Sequence, residues 1–434
     1  MDKMADVLGR AGAWCGQNKY LSAIKNAFQN FMPLTIAGAI GVLWCNVLVN
    51  DQTGLGLFFK PIMALDFLNP AFQAVNFCTI SCITVGITLG IAQEIGIWNM
   101  GAEKAGYIPG LVGLAAWLSV TNTSHMVDGA KEAFTGIAGN ELGATGLFTG
   151  MIIGVLSVEL FCFFEKQDAL KIKMPEQVPP GVARAFEVLV PATLTLIITA
   201  CIGSACYNLT GLYLNDVIKN GIQGPLGAVG ATIPGVMIIY LVIMLFWLVG
   251  IHGNNMLSAV KEALFTPLAL ENVEAFNKHQ TPKNIINMYA LQMWGEFGGS
   301  GVTIGLVIAI MIFGKREDNK AIATLSLVPG LFNINETVTF GIPMVLNPIL
   351  GIPFVVAPLI TIIIGYVLTV IGFCPVACLT VPWTCPPIVF GFLACGANVM
   401  GAVTQAILIV VSTVIYVPFL IAYEKYQNKQ AAEA

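Results

Sequence analysis

The chain has 434 residues, 56% of them hydrophobic and only 10% charged, and its mean hydropathy is +0.80. Soluble domains carry about 25% charged residues, and no soluble fold buries this much apolar surface, so a water-soluble protein is excluded. A formal net charge of −4 also excludes the basic surface that a nucleic-acid partner needs.

What remains is an all-α polytopic membrane protein, because hydrocarbon forces every backbone polar group to be satisfied internally. The first 25 residues hold Lys3, Arg10, Lys19 and Lys25 but no continuous apolar core, so no cleavable signal peptide is expected. Apolar stretches then run at about 28–50, 72–95, 143–165, 185–207, 229–250 and 297–314, each near the ~20 residues a bilayer core requires. A shorter one at 106–120 either spans or is partly re-entrant. Residues 256–296 mix Lys261, Glu262, Glu271, Glu274, Lys278 and Lys283 with apolar turns and are expected to be amphipathic or re-entrant. Two further apolar stretches follow at 344–373 and 399–423, so eight to ten spans are expected.

Basic residues set the orientation. The N-terminal segment, the loop with Lys166, Lys171, Lys173 and Arg184, the group Lys315, Arg316 and Lys320, and the end with Lys425 and Lys429 are expected to be cytoplasmic. The weakly charged loop from Thr121 to Asn140 reads as external, with Asp128, Lys131, Glu132 and Glu141 as solvated loop charges. Residues 166–184, basic and containing Pro175, Pro179 and Pro180, read as a linker. They divide an N-terminal half, 1–180, from a C-terminal half, 181–434.

None of the eleven cysteines forms a C-x-x-C pair, and no His or carboxylate lies near Cys78/Cys82 or Cys374/Cys378 to complete a metal site. Packing thiols are expected, with no metal ion and no cofactor. A Walker glycine loop, an H-E-x-x-H helix and a nucleophile elbow are all missing from the sequence, which argues against direct ATP use and hydrolytic chemistry.

Two isolated ionisable residues stand out. Between Lys320 and Glu424, 103 residues, the only charged side chain is Glu336, in Asn333-Ile334-Asn335-Glu336-Thr337. A carboxylate there costs a few kcal/mol, which points to binding or proton movement. His252 is the sole titratable acid or base between Lys219 and Lys261, Tyr240 apart, and sits between Gly250-Ile251 and Gly253. Asn254, Asn255 and Asn335 supply uncharged donors and acceptors suited to hydroxyl groups. Trp247 and Trp383 are candidates to stack on a sugar ring. The dense Gly341-Ile342-Pro343 and Gly351-Ile352-Pro353 breaks free backbone groups at membrane depth, where transporters build substrate sites. Each residue also has a plainer reading: an interfacial histidine, an aromatic belt or asparagine helix caps.

The run NINETVTFGIPMVLNPILGIPF, WLVGIHGNN at 247–255, SAIKNAFQNFMPLTIAGAI at 22–40 and VPWTCPP at 381–387 resemble signatures of one family. These are the membrane IIC components of the bacterial sugar phosphotransferase system, most closely the lactose/cellobiose/diacetylchitobiose group. Where that family commonly has Asn-Glu-Pro, this chain has Asn335-Glu336-Thr337. The resemblance implies about ten transmembrane helices with re-entrant or broken hairpins in a homodimeric cell-membrane permease. It implies an N-terminal scaffold and dimerisation half and a C-terminal sugar-binding half, with both termini cytoplasmic. It further implies import of a β-linked disaccharide and phosphorylation of its 6-hydroxyl by a phosphocysteine on IIB. With no IIB-like domain after Ala434, IIB and IIA are expected as separate chains. Carried onto this sequence, Glu336 takes or orients the hydroxyl proton and His252 holds the hydroxyl or the incoming phosphoryl charge. Asn254, Asn255, Asn335, Trp247 and Trp383 then line the sugar, with Asn140 contributed by the scaffold half. The rival expectations are a proton-coupled sugar transporter with Glu336 and His252 as relay, and a membrane enzyme acting on lipid-linked sugar.

Overall fold

The computed structural model describes residues 10, 14, 17–51, 55–125, 134–175, 177–342 and 344–433. Lys3, Asp128, Lys131, Glu132 and Pro343 lie outside the described residues. Helices dominate, and the one ribbon among the described residues is a short antiparallel pairing of Ser124–His125 with Phe134–Thr135. The chain gathers into two compact units, one made of Gln17–Gly38 with Ala74–Gly227 and the other containing Ala39–Gln73 and Ala228–Ala434.

The first unit is built on α1 (Lys19–Leu43, which runs on out of it after Gly38), α2 (Ile83–Met100), α3 (Ile108–Val120), α4 (Ala144–Glu165) and α5 (Pro180–Thr210). Helices α2, α3 and α4 pack on one another, and α5 lies against α3 and α4. Small residues set the spacing. A methyl group at Gly113 would sit 2.3 Å from Ala92 Cβ, and one at Gly150 would sit 2.2 Å from Thr88 Oγ1. In lipid, where apolar side chains gain little from leaving the solvent, such close backbone approach drives helix association. Trp117 is fully buried in the resulting core with Ala116, Val120 and Ile153. Glu165, also buried, ends α4 between Lys104 Nζ at 2.8 Å and Arg184 Nη1 at 3.1 Å. With α5 packed here, this compact unit runs on to Gly227.

The second unit holds α6 (Ile233–Leu248), α7 (Gly253–Met256), α8 (Ser258–Asn277), α9 (Met288–Gly295) and α10 (Ile304–Phe313). They are followed by α11 (Glu317–Leu331), α12 (Glu336–Gly341), α13 (Gly351–Val370), α14 (Val389–Ala394) and α15 (Val399–Glu433). Helix α15 packs along α10, α13 and α14, and its buried Tyr416 donates a hydrogen bond to the Gly301 carbonyl at 2.8 Å. At its far end Glu424 accepts the backbone N–H groups of Lys315 and Arg316 at 2.8 and 3.3 Å, which anchors the entry to α11. Beside it the Arg316 guanidinium holds the Asp318 carboxyl below its ordinary range through a direct hydrogen bond.

Six helical stretches among the described residues are long and apolar enough to cross a membrane: Lys19–Leu48, Lys60–Met100, Ala144–Glu165, Pro180–Thr210, Gly351–Val370 and Val399–Glu433. The bent pair Met288–Val302 and Ile304–Phe313, angled by 60°, adds a seventh if it is one broken span. Length and composition alone therefore stop short of ten. The apolar helices Ile108–Val120 and Ile233–Leu248 are shorter, and a 13-residue helix covers only ~20 Å at 1.5 Å per residue. The charged stretch 256–296 resolves into α8, whose Lys261 is buried, and α9, the first arm of the bent pair.

Gly365 on α13 tests this packing, since a Cβ there would lie 2.4 Å from the indole of Trp294 on α9. Gly365→Ala is expected to lower stability by about 1–3 kcal/mol through overpacking, read as a lower thermal midpoint in detergent. Gly181→Ala, where a Cβ meets nothing within 4 Å, is expected to leave the midpoint in place.

Candidate functional site

Helix α6 ends at Leu248, and Gly250, at φ +80°, turns the chain so that His252 caps the short helix α7. The imidazole Nδ1 accepts the Asn255 backbone N–H at 3.2 Å. In the neutral ring this puts the proton on Nε2, which is left as a donor. The ring lies against Trp247, with centroids 4.4 Å apart, and Trp247 meets the edge of Phe354 at 6.3 Å. Gly253 is needed at the next position because a Cβ there would fall 2.0 Å from the Ile243 carbonyl oxygen.

Glu336 opens α12, where the free N–H groups of a helix start favour a negative charge. The chain reaches it through Asn333, a non-glycine residue at φ +62°. The asparagine conformation is fastened on both sides. Asn333 Oδ1 accepts the Gly298 N–H at 2.6 Å, and its Nδ2 donates to the carbonyls of Trp383 and Cys385. His252 Nε2 and Glu336 Oε1 then stand 3.8 Å apart, with both side chains partly open. This is too long for a hydrogen bond between them, yet one oxygen placed ~2.8 Å from each would bond to both.

The pair opens into a cavity of ≈ 500 Å³. Of the residues expected at the site, His252, Asn254, Asn255, Asn335, Glu336 and Trp383 line it. Two of these asparagines also brace the protein. Asn254 donates to Ser300 Oγ at 2.9 Å and accepts from Lys261 Nζ at 3.3 Å. Asn335, buried, donates to the Ser300 carbonyl at 2.7 Å. Both tie their helices to the glycine-rich turn 298–301, where Gly299, at φ +87°, leaves no room for a Cβ beside Asn335. Trp383 is exposed on the cavity, as a stacking platform requires. Trp247 is buried behind His252 and does not line the cavity, because the last turn of α6 points its indole inward. Asn140 belongs to the other compact unit, in the short helix Gly139–Leu142, and its side chain lies outside the described residues.

The structure adds cavity residues that the sequence reading passed over, above all Glu296 and Gln292, with Ser300, Asn333 and Gln405. Glu296 accepts from Tyr240 Oη at 2.6 Å and from the buried Lys261 ammonium. Gln292 lines the cavity while its Oε1 is closed off without a partner, a state that costs about 1–3 kcal/mol. The signal for Glu296 was present, since it is the only charged side chain between Lys283 and Lys315. Amides, two carboxylates, an imidazole and an exposed indole together suit a neutral ligand rich in hydroxyl groups.

Comparison with known proteins gives this cavity a context. The family model "Phosphotransferase system, EIIC" matches residues 25–358. The chain belongs to the phosphotransferase-system EIIC family. It is 32% identical, over 98% of its length and 94% of the relative, to the oligo-beta-mannoside-specific EIIC component of Bacillus subtilis (strain 168). It is 30% identical, over 98% of both chains, to the cellobiose-specific EIIC component of Lactococcus lactis subsp. lactis (strain IL1403). The crystal structure of the transporter ChbC, the IIC component from the N,N'-diacetylchitobiose-specific phosphotransferase system, matches with a TM-score of 0.88. That match has 29% identity and covers 97% of each chain. This EIIC is thus a multi-pass plasma-membrane sugar permease of the cellobiose/lactose group, working with IIA and IIB components.

The turn at Gly253 yields a test of how tightly the site is set. Gly253→Ala forces its methyl against a backbone carbonyl and shifts His252. Sugar uptake by cells carrying it is expected to fall about 10- to 100-fold, the scale of effect that a misplacement of about 1 Å has in a tightly set site.

Proposed function

We propose that this EIIC imports a β-linked disaccharide of the cellobiose or diacetylchitobiose type and presents its 6-hydroxyl to the phosphocysteine of IIB. The observation that carries the proposal is the 3.8 Å gap between His252 Nε2 and Glu336 Oε1, opening into a cavity of ≈ 500 Å³. One hydroxyl oxygen fits that gap, accepting from Nε2–H and donating its own hydrogen to the carboxylate. In the transfer, this oxygen bonds to phosphorus as the S–P bond of IIB breaks and the cysteine leaves as thiolate. The hydroxyl proton passes to Glu336. Phosphoryl transfer has a loose transition state, so aiming the oxygen matters more than making it strongly basic. His252, neutral and donating, stabilises charge on the incoming group.

Trp383 supplies an apolar face for a sugar ring, and Asn255 an amide for its hydroxyls. Every residue lining the cavity belongs to one compact unit, which we assign as the sugar-binding half. The other unit is assigned as the scaffold through which two copies pair. The distribution of Lys and Arg supports cytoplasmic termini. The names of the relatives, cellobiose and oligo-beta-mannoside among them, support a β-linked substrate. A proton relay between Glu336 and His252 gains no support from them.

Glu336→Gln and His252→Ala are each expected to lower sugar phosphorylation about 10²- to 10⁴-fold in vesicles supplied with phosphorylated IIB. Wild-type rates in both variants would remove these residues from the mechanism. Uptake that proceeds without a phosphoryl donor and collapses with the proton gradient would replace the proposal with the relay. Cellobiose or diacetylchitobiose is also expected to change the intrinsic tryptophan fluorescence of the purified protein. That change should disappear in Trp383→Phe, whereas an unaltered signal in the variant would remove the stacking role.

A further inference from the structure

Glu296 and Gln292 lie four residues apart, the glutamine on α9 and the glutamate just past its end, and both line the cavity that holds His252 and Glu336. The phosphoryl transfer described above uses neither. Glu296 Oε1 is engaged twice, by Lys261 Nζ and by Tyr240 Oη. Its Oε2 has no hydrogen-bond partner among the described residues, and the side chain is 16% exposed. Gln292 lines the same cavity, although its amide oxygen is itself closed off. An ion pair serving packing alone has no need to leave a carboxylate oxygen free at the wall of a ligand cavity. Here Lys261 compensates the charge and Tyr240 fixes the rotamer, so the remaining oxygen is presented in a set position.

We propose that Glu296 is a specificity-determining residue that reads a sugar hydroxyl other than the one phosphorylated, with Gln292 as the adjoining amide. The inference rests on the sugar-permease reading of this cavity and names what the cavity selects. A carboxylate only accepts hydrogen bonds, so its ligand atom must be a donor; a free hydroxyl qualifies and an ether, carboxylate or phosphate oxygen does not. With Glu336 as a second acid in the same cavity, anionic sugars are disfavoured. The class selected is therefore neutral glycosides with that hydroxyl unsubstituted. A site built to hydrogen-bond a hydroxyl strongly rejects the analogue lacking it. Lys261 and Tyr240 act through Glu296 and are positioning residues.

The test is equilibrium binding to the purified protein in detergent, without IIB, so that phosphorylation plays no part in the readout. Cellobiose, diacetylchitobiose and β-1,4-mannobiose are compared, and the tightest binder is then supplied as its set of monodeoxy analogues. Glu296→Gln is expected to weaken binding of the parent sugar about 10- to 100-fold, the effect of losing a hydrogen bond to a charged group. One deoxy analogue should bind wild-type protein more weakly by a similar factor and lose nothing further in Glu296→Gln. The double variant Lys261→Met/Glu296→Gln leaves no unpaired ammonium and provides the same comparison if the single variant does not fold. Equal relative losses for every analogue in wild-type and variant protein would overturn the assignment of Glu296. Failure of all three disaccharides to bind wild-type protein would instead refute the disaccharide reading, and this inference with it.

Discussion

A charge taken into the membrane must find a partner, and the architecture of this EIIC follows from how each one does. The charged residues buried among those described are Glu165, Lys261 and Glu424. Glu165 lies between Lys104 and Arg184, Lys261 against Glu296, and Glu424 against the backbone N–H groups that lead into α11. Leaving any one of them alone would cost several kcal/mol. Glu336 is arranged differently. Its carboxylate is partly open, faces an imidazole across 3.8 Å, and looks into a cavity. The same cost that closes the other pairs makes this one receptive to a hydroxyl.

The broken backbone serves that arrangement. Gly250, Gly299 and Asn333 adopt positive φ angles around the cavity, which ends helices there and turns side chains toward one another. The freed groups are taken up by side chains: the Gly298 N–H and the Trp383 and Cys385 carbonyls by Asn333, and the Ser300 carbonyl by Asn335. Within a membrane, irregular backbone is tolerated only where protein or a polar cavity covers it. These asparagines thus serve two ends, holding the turns and walling the site.

Some of this was legible in the chain. Isolation in an apolar surround singled out Glu336 and His252, because a polar residue that costs this much to place is kept for a reason. Glu296 meets the same criterion between Lys283 and Lys315, but its surroundings looked like an amphipathic stretch and hid it. Asn254 shows what the chain leaves open. Its amide type suits hydroxyls, and it lines the cavity, but each of its polar atoms also makes a bond that braces Ser300 or Lys261. Residue type tells what a side chain can bond, not which bonds are already made.

By itself the sequence determined the solvent, the helical class and the few ionisable residues that the membrane isolates, because those depend on composition and on neighbours along the chain. It also carried the family motifs. Tertiary structure alone decided that residues 252 and 336 meet across 3.8 Å, and that Trp383 faces the cavity while Trp247 backs the imidazole. It likewise decided that Glu296 keeps one oxygen engaged by Lys261 and Tyr240. The reason is geometric. A helix end, a positive φ or a change of helix direction rotates a side chain by tens of degrees, and no local pattern of residues specifies which partner it then meets.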